Sequence, residues 1–222
     1  VNTSLLRLPL VVLGAALLAA LLAALSGCGS SAPPRFYTLQ PATSNAAAGT
    51  PATGASLAVT AVTIPGTLDR PQMVRFVNAE RLDLFEEARW GEPLAHGIAR
   101  TLAEDLSSRL SGAAVAAYPQ DASARARYRI SVDFSHLDVQ NDGSVVLDAI
   151  WTMRDTYVAP VGAGGVPPAP VRTTERIKTA HVHLLAASAG TGAEASVATQ
   201  SNALGQLADQ LAAAFTEFAS AS

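Results

Sequence analysis

Cys28 is the chain's only thiol, and its neighbours define the chemistry open to it. It closes the run Leu25-Ser26-Gly27-Cys28, behind an apolar segment from Leu8 to Leu25 and a single basic residue, Arg7. The thiol stands behind a membrane-seeking run and two small residues, where Ser26 and Gly27 are small enough for a peptidase pocket. The other chemistry-bearing side chains are scattered. His181 and His183 stand two apart, which on a strand puts both on one face. Zinc needs three or four ligands, however, and His96 and His136 lie elsewhere with no carboxylate at motif spacing. Glu86 and Glu87 are adjacent, so on a strand they point apart. No Gly-x-Ser-x-Gly elbow, His-Glu-x-x-His helix or phosphate-binding loop occurs. The sequence therefore predicts no catalytic residue, no metal and no cofactor.

The order around Cys28 is similar to a bacterial lipobox, whose cysteine takes a diacylglyceryl group before the segment ahead of it is removed. An uncleaved membrane helix is the alternative, since Leu8 to Leu25 is just long enough to span. Pro9 and Gly14 inside the run argue against it. Residues 1–27 are thus read as a signal peptide and residues 28–34 as a lipidated tether, anchored to the outer membrane through acyl chains. Gly29 follows the cysteine where an Asp commonly signals inner-membrane retention, which favours export to the outer membrane, facing the periplasm. Six residues between Cys28 and Arg35 reach about 20–25 Å at most. The processed chain would carry fourteen basic and eighteen acidic residues, a balance that argues against nucleic acid as a partner.

The elements that must position any site are read from periodicity. Tyr37 to Leu39 predicts a short first strand, and residues 41–56, rich in Ala, Thr, Gly and Pro, a flexible insert. Leu57 to Ile64 is apolar on both sides and predicts a central strand. Met73 to Val77 and Arg81 to Phe85 predict a hairpin around Asn78-Ala79. Glu92 to Leu110 is the clearest helix, with Leu94, Ile98, Leu102, Leu106 and Leu110 on one stripe and Arg100, Glu104, Asp105 and Arg109 marking a wet side. Two alternating strands from Tyr128 and Val145 flank an Asn141-Asp142-Gly143 turn. Residues 158–170 form a Gly/Pro-rich loop, Val171 to Leu185 a third long strand, and Ala195 to Phe218 a final helix. Together these predict one α/β (or α+β) domain over residues 35–222, a mixed β-sheet with a long antiparallel meander covered by two main helices.

Three blocks carry a family resemblance. Pro34-Arg35-Phe36-Tyr37-Thr38-Leu39, then Leu68-Asp69-Arg70-Pro71-Gln72-Met73-Val74, and then Arg89-Trp90-Gly91-Glu92-Pro93-Leu94 with its helical continuation to Leu106 resemble the PqiC-type auxiliary lipoproteins of envelope transporters. The resemblance implies a three-layer mixed-sheet domain, assembly into a homo-oligomeric ring, and a non-catalytic role in intermembrane lipid transport. It also implies a partner, a periplasmic MCE-domain transporter met at the outer membrane. Candidate interface residues are Arg35, Phe36, Tyr37, Asp69, Arg70 and Trp90, since Arg and aromatic side chains favour interface anchors. A structural reading stands beside this: a turn ion pair at Asp69-Arg70 and a Trp lying on the sheet before the helix. A general envelope-assembly lipoprotein and a cryptic periplasmic hydrolase remain as other functions.

The lipobox reading has a direct test. Cys28→Ser is expected to leave the domain folded while releasing it from membranes or stalling it as an uncleaved precursor, as membrane fractionation and intact mass would reveal. Normal cleavage and normal membrane attachment of the variant would defeat the reading.

Overall fold

The computed structural model describes residues 32–42, 50–156 and 176–220, and Pro34–Ser222 form one compact unit. Cys28, the signal segment and the loop at 158–170 lie outside the described residues. In chain order the elements are β1 (Arg35–Tyr37), β2 (Thr50–Pro51), β3 (Ser56–Thr63), β4 (Gln72–Phe76), β5 (Leu82–Trp90) and α1 (Leu94–Arg109). There follow β6 (Leu110–Ser111), β7 (Ala114–Ala117), α2 (Asp121–Arg125), β8 (Tyr128–Val139), β9 (Val145–Asp155), β10 (Arg176–Ala186) and α3 (Ala193–Ser220).

The fold is mixed α/β. A five-stranded sheet runs in the order β10-β9-β8-β3-β7, and a three-stranded sheet in the order β1-β5-β4. β8, β9 and β10 make the antiparallel meander, while β3 pairs parallel with both β7 and β8, so the larger sheet is mixed. The alternation of β9, and of β8 as far as the register shift after Phe134, explains the burial. Tyr128, Ile130, Val132 and Phe134 on β8, and Val145, Leu147, Ala149, Trp151 and Met153 on β9, all lie in the core. Their neighbours in sequence take the opposite, wet face. The turn joining them needs glycine at its third position. Gly143 has φ +83°, and a Cβ there would strike the Gly190 carbonyl oxygen. Asp142 accepts from the Ser144 amide and hydroxyl, which holds its carboxyl below the usual range.

Both long helices cover the buried face. Leu94, Ile98, Leu102 and Leu106 form the apolar stripe of α1, and Leu110 continues it beyond the helix end. On α3, Leu204, Leu207, Leu211, Phe215 and Phe218 do the same, with Tyr128 of β8 edge-on to Phe215 at 5.0 Å and to Phe218 at 6.3 Å between centroids.

Several expectations are corrected. Asp105 and Arg109 do not face water: they are 0% and 5% exposed, because that side of α1 packs on α3. Arg109 Nη1 donates to Asp105 Oδ1 at 2.9 Å, Nη2 to the Gly205 carbonyl at 3.1 Å, and Nε to Asp209 of α3. The first strand is Arg35–Tyr37 rather than Tyr37 to Leu39, because the chain leaves the sheet after Tyr37. Leu39 is buried, but its carbonyl accepts from Arg100 Nη2 at 2.9 Å instead of joining a ladder. The described ends of the 41–56 insert are pinned rather than loose. The Ala42 amide donates to Asp105 Oδ1 at 3.0 Å, the Ala52 amide to the Ser111 carbonyl at 2.9 Å, and β2 pairs with β6. Residues 43–49 lie outside the described residues.

Burial pushes the Asp105 carboxyl up to about 6, against the opposing pull of Arg109 and the Ala42 amide. Between roughly pH 4 and pH 6 the folded chain keeps a proton there that the unfolded chain releases, so this group's contribution to stability falls as pH rises through that window. Urea unfolding of the native chain across that window should therefore lose on the order of 2–3 kcal/mol relative to Asp105→Asn, which has no proton to release. Parallel pH profiles for the two proteins would contradict this assignment.

Candidate functional site: the Trp90 concavity

Backbone hydrogen bonds bring the three motif blocks together. Tyr37 of β1 stands in parallel register with Trp90 of β5, and the Gly91 amide donates to the Tyr37 carbonyl at 2.8 Å. The Trp90 amide donates to the Pro71 carbonyl at 2.7 Å, so the Asp69-Arg70-Pro71 turn is tied to the end of β5. The turn itself closes on Pro65, whose carbonyl accepts from the Leu68 and Asp69 amides, with the Leu68 side chain buried beneath as its anchor. Pro93 then sets the start of α1, and Glu92 folds back to Arg100 at 2.8 Å. The result is a concavity of about 390 Å³ whose lining includes Asp69, Arg70, Pro71, Trp90, Pro93 and Leu94.

The lining is mostly apolar, and the charges at its rim are unspent. The expected Asp69–Arg70 ion pair does not form. Both residues are exposed, and among the described residues neither side chain has a hydrogen-bond or salt-bridge partner. Trp90 is 8% exposed and belongs to the core as well as to the concavity wall. Arg89, its neighbour, is committed to structure, donating through Nη1 to the Phe85 and Ala88 carbonyls.

The remaining candidates lie on β1. Arg35 and Tyr37 line a second concavity, of about 460 Å³, facing Glu86, Glu87 and Glu194. Phe36 points the other way and is 68% exposed. Thus Asp69, Arg70 and Trp90 share one site and Arg35 and Tyr37 an adjoining one, with the Tyr37–Trp90 register linking them. Cys28 lies outside the described residues.

The sequence puts His181 and His183 on one face but gives no sign of the carboxylate they meet there. His181 Nε2 meets Asp148 Oδ1 at 2.5 Å, His183 Nδ1 meets Oδ2 at 3.1 Å, and the Ser135 hydroxyl donates to Oδ1 at 3.1 Å. These bonds, that of His181 foremost, hold the Asp148 carboxyl down at about 2. The signal was the His-x-His spacing, but its carboxylate comes from β9, thirty-three residues from His181. Among the described residues no group of three or more His, Cys, Asp or Glu side chains is arranged to hold a metal ion. No described helix is long and apolar enough to cross a membrane.

The family model for the ABC-type transport auxiliary lipoprotein component matches residues 37–212. The chain belongs to this family. Membership gives it an accessory role in transport as an envelope lipoprotein, with transporter components as partners. The auxiliary-lipoprotein fold also appears in solved structures. An uncharacterized protein superposes with a TM-score of 0.62 at 18% identity, over 82% of this chain and 99% of its own. A Xanthomonas campestris protein of the DUF330 family gives 0.58 at 14% identity, over 80% and 92%. At these identities the likeness concerns the fold alone. No curated protein sequence matches the chain.

The two motif residues separate by experiment. Trp90→Ala should cost about 3–5 kcal/mol in urea unfolding, as expected for a buried indole. Arg70→Glu should stay within about 0.5 kcal/mol of the parent, because an exposed guanidinium with no partner contributes little to the fold. A large loss for Arg70→Glu would assign that side chain to structure.

Proposed function

We propose that the protein is the outer-membrane-anchored lipoprotein subunit of an intermembrane lipid-transport system. In this reading it docks a periplasmic MCE-domain transporter at the outer membrane and performs no chemistry of its own. The acyl chains on Cys28 hold it to the membrane through a short tether, and more than one copy assembles around the transporter's end. The observation that carries the reading is the convergence of two motif blocks on one concavity, with the third hydrogen-bonded beside it, whose rim charges, Asp69 and Arg70, have no partner within the described chain. An apolar hollow edged by unpaired charges suits a protein partner. A buried apolar anchor supplies affinity, and the rim charges select the partner and fix its register.

The family's transport role supports a transporter component as that partner. Nothing in the geometry favours a hydrolase over this. The Ser135–Asp148–His181 contacts lie on an exposed strand face, not in a water-excluding cleft beside donors that could hold an oxyanion.

The test is a mild-detergent pull-down of tagged full-length protein from native membranes, with mass spectrometry of proteins and lipids. An MCE-domain protein at stoichiometric yield is expected, and Arg70→Glu should reduce that yield roughly tenfold or more without altering processing. Recovery of envelope structural proteins alone would favour the general-assembly function and defeat this one.

A further inference from the structure

β10 is an edge strand with neither proline nor bulge to keep a second strand from its outer edge. It runs eleven residues from Arg176 to Ala186 in unbroken register with β9, without proline or bulge, and among the described residues no strand pairs with its outer edge. Natural edges are commonly guarded by prolines, bulges or charges, inward-pointing ones included. Here the two inward cations are engaged by α3 rather than left as free charges at the edge. Lys178 Nζ bonds Glu217 at 2.8 Å, and Arg176 Nη2 donates to the Phe218 carbonyl at 2.6 Å with its guanidinium over the Phe218 ring.

The wet face beside this edge is unusually apolar. Of the five exposed large hydrophobic side chains among the described residues, Ile177 (50%), Leu185 (67%) and Ile150 (49%) lie here, the last in register with His181. Their spacing has a symmetry. Ile177 and Leu185 are each four residues from His181. In an antiparallel pair related by a twofold axis normal to the sheet, residues of one face meet residues of the same face. The register that uses all eleven residues places the axis at His181. It sets Ile177 opposite Leu185 of the second copy, twice over, and Thr179 opposite His183. On the covered face Arg176 meets Ala186 and Lys178 meets Leu184, so no cation stands directly across from another. Shifting the register by one step in either direction sets Ile177 against His183 or Leu185 against Thr179, and the apolar match is lost.

We infer that β10 is a self-complementary docking edge for a second copy of this chain, joining two five-stranded sheets into one continuous ten-stranded sheet about a twofold axis at His181. The ladder would supply roughly ten to twelve backbone hydrogen bonds, and each Ile–Leu pair would add apolar contact. The contact is independent of the transport reading, since it uses neither the Trp90 concavity nor Cys28. A twofold contact closes on itself as a pair, so any larger assembly must use a further surface.

Site-directed disulfide trapping on the full-length protein in native membranes tests the register. Opposed residues of an antiparallel pair have Cα atoms about 4.5–5.5 Å apart, within disulfide reach. His181→Cys should therefore oxidise to a covalent dimer. Thr179→Cys alone should not, because its two copies would sit about 13 Å apart along the ladder. Thr179→Cys mixed with His183→Cys should cross-link. The parent chain, whose one cysteine is Cys28, sets the background. Ile177→Lys with Leu185→Lys changes only exposed positions, leaves the melting temperature in place, and sets lysine against lysine. It should weaken self-association measured by analytical ultracentrifugation by roughly tenfold. The inference is overturned by failure of His181→Cys to cross-link, by equal cross-linking at Thr179→Cys, by trapping of a different polypeptide, or by a double-lysine variant that associates like the parent.

Discussion

A buried arginine holds the molecule's centre. Arg109 lies where α1 crosses α3 and reaches the Asp105 carboxylate and carbonyl, the Gly205 carbonyl and Asp209. Asp105 in turn accepts the Ala42 amide, so one cluster ties the two helices to the segment that follows β1. Burying such charges is costly, and replacing the whole group with apolar side chains could be neutral. Removing one member alone is different, because it strands a charge without solvent and costs about 3–5 kcal/mol in comparable cases. The close approach it organises also explains Gly205, where a Cβ would collide with that of Ala42. The Asp105 Oδ2 atom is buried without a partner, the remaining cost of this arrangement and a reason its carboxyl holds a proton to higher pH.

The position of the Trp90 concavity follows from that anchor. Leu39 and Gln40 continue the strap, the first through Arg100 and the second through Ser201 of α3, and this fixes where β1 leaves the small sheet. β1 then sets Tyr37 beside Trp90, and the Pro71 carbonyl closes the turn against the same residue. The hollow's walls are therefore backbone and core, held by bonds that leave Asp69 and Arg70 out of the fold. A surface built this way keeps its shape while its rim charges remain available to a partner.

The five-stranded sheet divides the molecule's labour in a similar way. One face takes the helices and nearly all the large side chains, while the other carries Asp148 with His181 and His183, and His136 with Asp138. Asp148 and its two histidines satisfy one another across strands, and His136 and Asp138 along one, which keeps an uncovered face in water without a second helical layer. The exposed Ile150, Ile177 and Leu185 are exceptions on that face, and they gather toward its β10 edge.

Local pattern settled much of this. The two-residue alternation of β8 and β9, the four-residue leucine stripe of α1 and the Asn141-Asp142-Gly143 turn each specify their element without help, because core burial rewards one period only. The Cys28 motif and the three family blocks were equally legible, being contiguous strings. Pairing over long separation was not. A charge at i and i+4 on a helix reads as wet unless a second helix is known to cover it, and the cover for Asp105 and Arg109 is α3, whose Asp209 lies a hundred residues from Arg109. Short β2, β6 and β7 have no period long enough to read, and they exist because neighbouring strands offer them partners. The sequence by itself determined the long strands, the two long helices and the motif blocks. Only the tertiary structure decided that Asp69, Arg70 and Trp90 share one hollow and that Asp148 joins His181 and His183, because backbone and side-chain contacts between distant segments have no local signature.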